Sequence, residues 1–319
     1  MNFLITGGAG FIGSHLAAEL LARGNRVSVI DDLSTGTEDN IAAFRQNPDF
    51  LFFRGSIMDD PRLEQLVMES DCIFHLAAAV GVELVVHDPT RTILTNVSGT
   101  ERVLTLAAEY KKRCILASTS EVYGKSSKSA FSETDDLLIG PPTHSRWSYA
   151  CSKLLDEFLL MAFSRDKGLK GTVVRFFNTV GPRQTGRYGM VIPRFVSAAL
   201  NGLPLKVFGT GGQTRCFCHV HDVVRALLSI CADDRSIGEV FNIGSTEIVT
   251  IRQLAEFIIE RTHSSSRIEV IPYEKAYTNG FEDMLHRAPD CSKIQKFCGW
   301  HAEIRLAQII DDVADFLRR

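Results

Sequence analysis

The stretch "ITGGAGFIGSHL" constrains this chain more than any other, because it sets Gly7, Gly10 and Gly13 between an apolar β-branched run and an amphipathic segment. Glycine in a strand-to-helix turn lets the backbone fold tightly and approach an anionic group, which then sits over the unpaired N–H groups of the helix N-terminus. Phe11 and Ile12 open that helix, so a dinucleotide pyrophosphate is the expected occupant. The next apolar run, "RVSVIDD", ends on Asp31, where a carboxylate accepts hydrogen bonds from a ribose 2′-hydroxyl and repels a 2′-phosphate. NAD is therefore expected over NADP.

The rest of the first half agrees with this fingerprint. Short runs such as "LFFRG", "CIFHLAA", "RCILAST" and "GTVVRFFN" alternate with helix-like segments such as "NVSGTERVLTLAAEYKK" and "SYACSKLLDEFLLMAFSRDKG". That alternation predicts an α/β protein with a Rossmann-type, doubly wound parallel sheet. After about Asn178 the texture shifts to Gly- and Pro-containing loops, which predicts a smaller C-terminal α/β lobe for substrate. The expected division is 1–177 for the dinucleotide domain, rejoined by about 219–244, and 178–319 for the lobe.

Composition excludes other classes. A formal net charge of −3 on 319 residues gives no basic footprint, so neither nucleic acid nor an anionic membrane is an expected partner. The apolar N-terminus lacks a basic leader and breaks into glycines, and no run approaches a membrane span, which predicts a cytoplasmic protein. The 8 cysteines are scattered, several in apolar runs where a thiol acts as a small hydrophobe. "CFCHVH" sends alternate side chains to opposite faces if extended, so no metal is expected there.

"SYACSK" places Tyr149 and Lys153 four residues apart, on one face of a helix. A phenol with a pKa of about 10 becomes a usable base when a nearby ammonium lowers the cost of its phenolate. Upstream, "ASTSEVYGK" puts Glu121 just past a buried strand, where desolvating a carboxylate is costly unless its charge acts on something bound. In "FEDMLHRAPD" Arg287 follows Asp283 by four residues, which by spacing alone describes a surface ion pair. Arg183, Arg187 and Arg194 cluster in sequence and suit a diphosphate.

The Gly-x-x-Gly-x-x-Gly form followed by Tyr-x-x-x-Lys resembles the short-chain dehydrogenase/reductase superfamily, and the length resembles its extended, sugar-nucleotide branch. The resemblance implies adenosine-ribose contacts from Asp31 and Asp32, a cofactor contact from the "HLAAA" strand end, and Asn96 nearby. It also implies a hydride-transfer site in which Thr119 bonds the sugar hydroxyl, Tyr149 takes its proton, and Lys153 holds the phenolate and the cofactor ribose. "TSEVYG", with Ser120 and Glu121, together with the Asp-x-x-x-Arg-x-Pro-Asp string around Asp283 and Arg287, resembles UDP-glucuronate decarboxylases. Asn178, Arg187, Arg215, Asp283 and Arg287 are then implied to contact the UDP-sugar, with the Arg287 guanidinium fork on its carboxylate, and the helices around 96–112 and 149–165 to pair two copies as a four-helix bundle.

Two departures stand out, Ser56 where many relatives carry an Asp and the unusual loop "AVGVELVVHDPT". The alternatives are a UDP-hexose or UDP-hexuronate 4-epimerase, then a 4,6-dehydratase, whose acid pair would need an Asp in place of Ser120. A catalytically silent NAD sensor on the same fold is the non-enzyme alternative.

Overall fold

The computed structural model describes residues 1–80, 88–186, 190–272 and 284–318. The first half builds the predicted alternation: β1 (Asn2–Thr6), α1 (Phe11–Ala22), β2 (Arg26–Asp31), β3 (Phe50–Arg54), α2 (Arg62–Glu69), β4 (Cys72–His75), α3 (Pro89–Glu109), β5 (Arg113–Thr119), α4 (Arg146–Lys167) and β6 (Lys170–Phe176). The second half adds β7 (Thr179–Val180), α5 (Val191–Leu200), β8 (Leu205–Phe208), β9 (Thr214–Cys216), β10 (Cys218–His219), α6 (Val220–Cys231) and β11 (Val240–Ile243). It closes with β12 (Ile248–Thr250), α7 (Ile251–Arg261), β13 (Ile268–Ile271), β14 (His286–Arg287), α8 (Ser292–Cys298) and α9 (Leu306–Leu317).

Among the described residues, a seven-stranded sheet runs in the order β3-β2-β1-β4-β5-β6-β11, parallel throughout. Side chains alternate across it. Leu4, Ile73, Leu116 and Val173 meet α2, α3 and α4 on one face, while Ile5, Phe74, Ile115 and Val174 meet α1 and α6 on the other. Both faces are covered, as a parallel sheet requires. Strand order reverses between β1 and β4, and ligands of such sheets bind at the carboxyl ends of the strands beside that reversal.

The segment 219–244 returns to this sheet: α6 packs on α1, and β11 pairs with β6 at the edge. A second core gathers Ile192 and Phe195 of α5, Leu254 and Ile258 of α7, and Ile309 and Val313 of α9. One helix begins earlier than the apolar pattern implies. α3 starts at Pro89 because Asp88 accepts a hydrogen bond from the Arg91 N–H and proline is favoured in the first helical turn.

Candidate active site

The glycine turn forms for steric reasons. Gly7 has φ +73°, and a Cβ there would lie 2.8 Å from the Ala77 N and Cα, so any side chain would drive β1 and β4 apart. A Cβ on Gly13 would lie 2.4 Å from the Gly7 carbonyl oxygen, so α1 packs directly on the turn. Gly10 caps α1 with no side-chain hydrogen bond, which leaves the first N–H groups facing the cleft.

Asp31, at the end of β2, accepts hydrogen bonds from the Ala9 N–H at 2.9 Å and the Leu33 N–H at 2.8 Å. It therefore braces the glycine loop as well as facing the cleft. Burial pushes its carboxyl above the usual range, against those backbone bonds. Asp32 is exposed and accepts from the Ser34 N–H. Behind the loop, His75 links Thr6 at 2.7 Å to Thr100 at 3.0 Å, and burial lowers its pKa to about 3, so it is neutral.

A cavity of about 750 Å³ starts at Gly7, Gly10, Phe11, Ile12 and Gly13, passes Asp31, Asp32 and Ser56, and runs on to Thr119, Ser120, Glu121, Tyr149 and Lys153. Asn178, Arg183, Arg194, Arg215 and Arg287 line the same cavity. Asn96 does not line it. Its amide accepts from the Ala79 N–H and donates to the Ala79 carbonyl and the Ser152 hydroxyl, so it shapes the loop after β4. Arg187 and Asp283 lie outside the described residues.

At the inner end, β5 delivers Thr119, whose Oγ1 accepts from the Glu121 N–H at 3.2 Å and starts the turn 120–123. α4 delivers Tyr149 and Lys153. Its seat is fixed from below, where Glu157 accepts from Ser118 and from Arg175, which in turn donates to Tyr123. Lys153 is sealed from solvent and donates to Asp156 at 2.7 Å. That partner differs from expectation: the ammonium is held by a carboxylate one turn along its own helix and not by the Tyr149 phenol. Burial pushes the Tyr149 phenol well up, and the Glu121 and Asp156 charges add to this, while a hydrogen bond with Thr119 and the Arg287 charge oppose it.

Glu121 is the centre of the inner end. One carboxylate oxygen pairs with Arg287 and the other accepts from Arg146 at 3.2 Å. Arg287 also donates to the Asn178 side chain, while Asn178 donates to the Cys216 carbonyl at 2.8 Å. Burial alone would raise the Glu121 carboxyl, but Arg287, Arg146 and Arg215 together hold it below the usual range, and it is ionised. Arg287 arrives there because β14 pairs with β9 in a register that sets it beside Arg215. Arg215 donates to the Thr214 and Met284 carbonyls at 2.8 Å, which ties the strand start in place.

Arg146 escaped the sequence reading. It stands three residues before Tyr149, one helical turn away, and that spacing is the signal that would have found it. Among the described residues no group of three His, Cys, Asp or Glu side chains is placed to hold a metal ion. No described helix is long and apolar enough to cross a membrane.

A glycine cradle that no Cβ can enter, an uncapped helix start and an acid at the end of β2 define a dinucleotide site, and a phenol beside a hydroxyl and a lysine extend it into an oxidoreductive one. The sequence profile of the GDP-mannose 4,6 dehydratase family matches residues 4–313. A UDP-N-acetyl-alpha-D-glucosaminuronate decarboxylase of Bacillus cytotoxicus is 43% identical over 316 residues, 99% of this chain and 97% of that one. UDP-glucuronic acid decarboxylase 1 of Arabidopsis thaliana is 35% identical over 320 residues, covering 100% of this chain and 70% of that one. The crystal structure of UDP-glucuronic acid 4-epimerase from Bacillus cereus, in complex with UDP-glucuronic acid and NAD, superposes with a TM-score of 0.89 at 29% identity, over 100% of this chain and 99% of that one. The chain belongs to the extended short-chain dehydrogenase/reductase family of NAD-dependent sugar-nucleotide epimerases and dehydratases.

Proposed function

We propose that the protein is an NAD-dependent decarboxylase of UDP-hexuronates, taking UDP-glucuronate or its 2-acetamido counterpart. The observation that carries this reading is the Arg287 guanidinium, brought from the smaller lobe to Glu121 at the Tyr149 end of the cavity. A cation lodged there has a purpose when the bound sugar carries an acid, and the relatives from Bacillus cytotoxicus and Arabidopsis thaliana are decarboxylases by name.

Gly7, Gly10, Gly13, Asp31 and Asp32 would hold NAD, with Lys153 at the nicotinamide end. NAD supplies a reversible two-electron acceptor when bound. Tyr149, aligned by Thr119, would take the proton of the 4-hydroxyl as a phenolate, the form that the positive charges of Lys153 and of bound NAD would favour against its burial. With carbon 4 at the ketone level the hexuronate is a β-keto acid, and the carbon–carboxyl bond breaks with its electron pair passing into an enolate. Arg287 holds the carboxylate until it leaves as carbon dioxide. Glu121, kept ionised, orients the water that returns a proton to carbon 5, and Tyr149 gives its proton back to the oxygen on carbon 4. Asn178, Arg183, Arg187, Arg194 and Arg215 serve the nucleotide and diphosphate, and the lobe boundary near 177, with 219–244 returned to the first lobe, sets this division of labour.

The test is incubation with UDP-glucuronate or UDP-N-acetylglucosaminuronate and NAD, followed by mass analysis. A product lighter by one carbon dioxide supports the reading. An unchanged mass with a new stereoisomer moves it to a UDP-hexuronate 4-epimerase, the second reading, which the whole-chain likeness to the Bacillus cereus structure favours.

A homodimer completes the proposal. Ile93 and Leu94 of α3 and Leu155 and Phe158 of α4 are exposed at 41%, 55%, 45% and 65%, so the two helices present apolar side chains that a second copy would cover in a four-helix bundle. A monomer mass in solution at working concentration would contradict it.

A further inference from the structure

The decarboxylase reading gives Arg287 to the substrate, yet Arg287 already has a partner in Glu121. The two demands conflict. If Arg287 turned to an incoming carboxylate with nothing else in place, Glu121, whose side chain is 24% exposed, would be left partly desolvated without a counterion and beside a second negative charge. Arg146 resolves the conflict. It stands on α4, reaches the oxygen of Glu121 that Arg287 does not hold, and lines the same cavity.

We propose that Arg146 is a specificity-determining residue for the acid sugar: by holding Glu121 on its own, it releases Arg287 to the substrate carboxylate. The inference rests on the UDP-hexuronate reading and adds to it a division between two arginines. Arg146 is the resident counterion of Glu121, and Arg287 is the exchangeable one. Asn178 keeps Arg287 aimed into the cavity through its second nitrogen during the exchange. Without Arg146, an entering carboxylate must compete with Glu121 for one guanidinium. A neutral sugar makes no such demand.

The test is a binding measurement in a Tyr149→Phe background saturated with NAD, in which the ligand is not turned over. UDP-glucuronate and UDP-xylose, which differ by the carboxylate, are titrated by calorimetry into the parent, Arg146→Met, Arg146→Lys and Arg146→Met/Glu121→Gln proteins, with a thermal unfolding curve for each. Arg146→Met is expected to weaken UDP-glucuronate by about tenfold or more and to leave UDP-xylose within about twofold. Arg146→Lys should fall between, because it keeps the charge without the fork. Adding Glu121→Gln should restore most of the lost affinity, since the competing carboxylate is gone. Equal weakening of both ligands, no weakening of UDP-glucuronate, or no recovery in the double variant would each overturn the proposal. A parent that binds UDP-glucuronate no better than UDP-xylose would instead refute the acid-sugar reading itself, so the two failures are distinct.

Discussion

Replacing Arg287 by alanine is the sharpest perturbation of this site. Its side chain is 13% exposed and bonds Glu121 and Asn178, so the guanidinium works in a largely desolvated setting. Truncating one partner of such a charge pair costs about 2–5 kcal/mol, much of it the penalty of an unpaired charge. At about 1.4 kcal/mol per tenfold, the loss in kcat/KM for UDP-glucuronate is roughly 30-fold to a few thousand-fold. Most of it belongs in KM, because the negative charge that Arg287 grips is present in the ground state and is spreading into the enolate as the bond breaks. The fold should survive, because Glu121 keeps Arg146 at 3.2 Å. The assay is steady-state carbon dioxide release against UDP-glucuronate concentration, with UDP affinity measured in parallel. A kcat/KM within about threefold of the parent, with UDP binding unchanged, would refute the assignment of this arginine to the substrate.

Other consequences can be measured directly. Tyr149→Phe should lower turnover by at least about a hundredfold while NAD affinity holds, because the glycine cradle is untouched, and unchanged turnover would remove the phenol from the chemistry. Asp156→Ala leaves the sealed Lys153 ammonium without its carboxylate and should cost about 3–5 kcal/mol of stability by urea unfolding, a loss below about 1 kcal/mol arguing that the lysine has another partner. Burial lowers His15 and His219 to about 4 and His75 to about 3, whereas the unfolded chain takes up these protons near 6.5. The unfolded state thus binds more protons as pH falls from about 6.5 towards those values, and each histidine removes up to about 1.4 kcal/mol of stability per pH unit. His75→Gln should flatten the decline between about pH 6.5 and 4 by one such contribution, and parallel curves for the two proteins would contradict the buried neutral state.

The parts of the site that are local in sequence were legible, and the parts made by long-range contact were not. Gly7, Gly13 and Asp31 could be read because a turn and the next strand end are adjacent features with fixed stereochemical demands. Tyr149 and Lys153 could be read because one helical turn aligns them. The grip on Glu121 joins residues 25 and 166 positions away, and no spacing rule connects them. Arg287 was reached through resemblance and Arg146 was missed. Asp156 was legible in principle, at i+3 from Lys153, but an acid near a helical lysine usually marks a solvated face, and only burial shows otherwise. Asn96 illustrates what sequence does not show, since its amide satisfies the backbone of Ala79, a partner 17 positions away that no spacing rule names. The early start of α3 was written in the "DPT" that precedes it, a cap and a first-turn proline that the apolar periodicity overshadowed.

The central claim is that the sugar is oxidised and reduced at carbon 4 within one binding event, with its acid lost in between. UDP-glucuronate carrying deuterium on carbon 4 tests this directly when incubated with NAD-saturated protein in ordinary water. The expected product has lost carbon dioxide and keeps the deuterium on carbon 4. A decarboxylated product with the label washed out, or a labelled sugar that retains its carboxylate, would contradict the account.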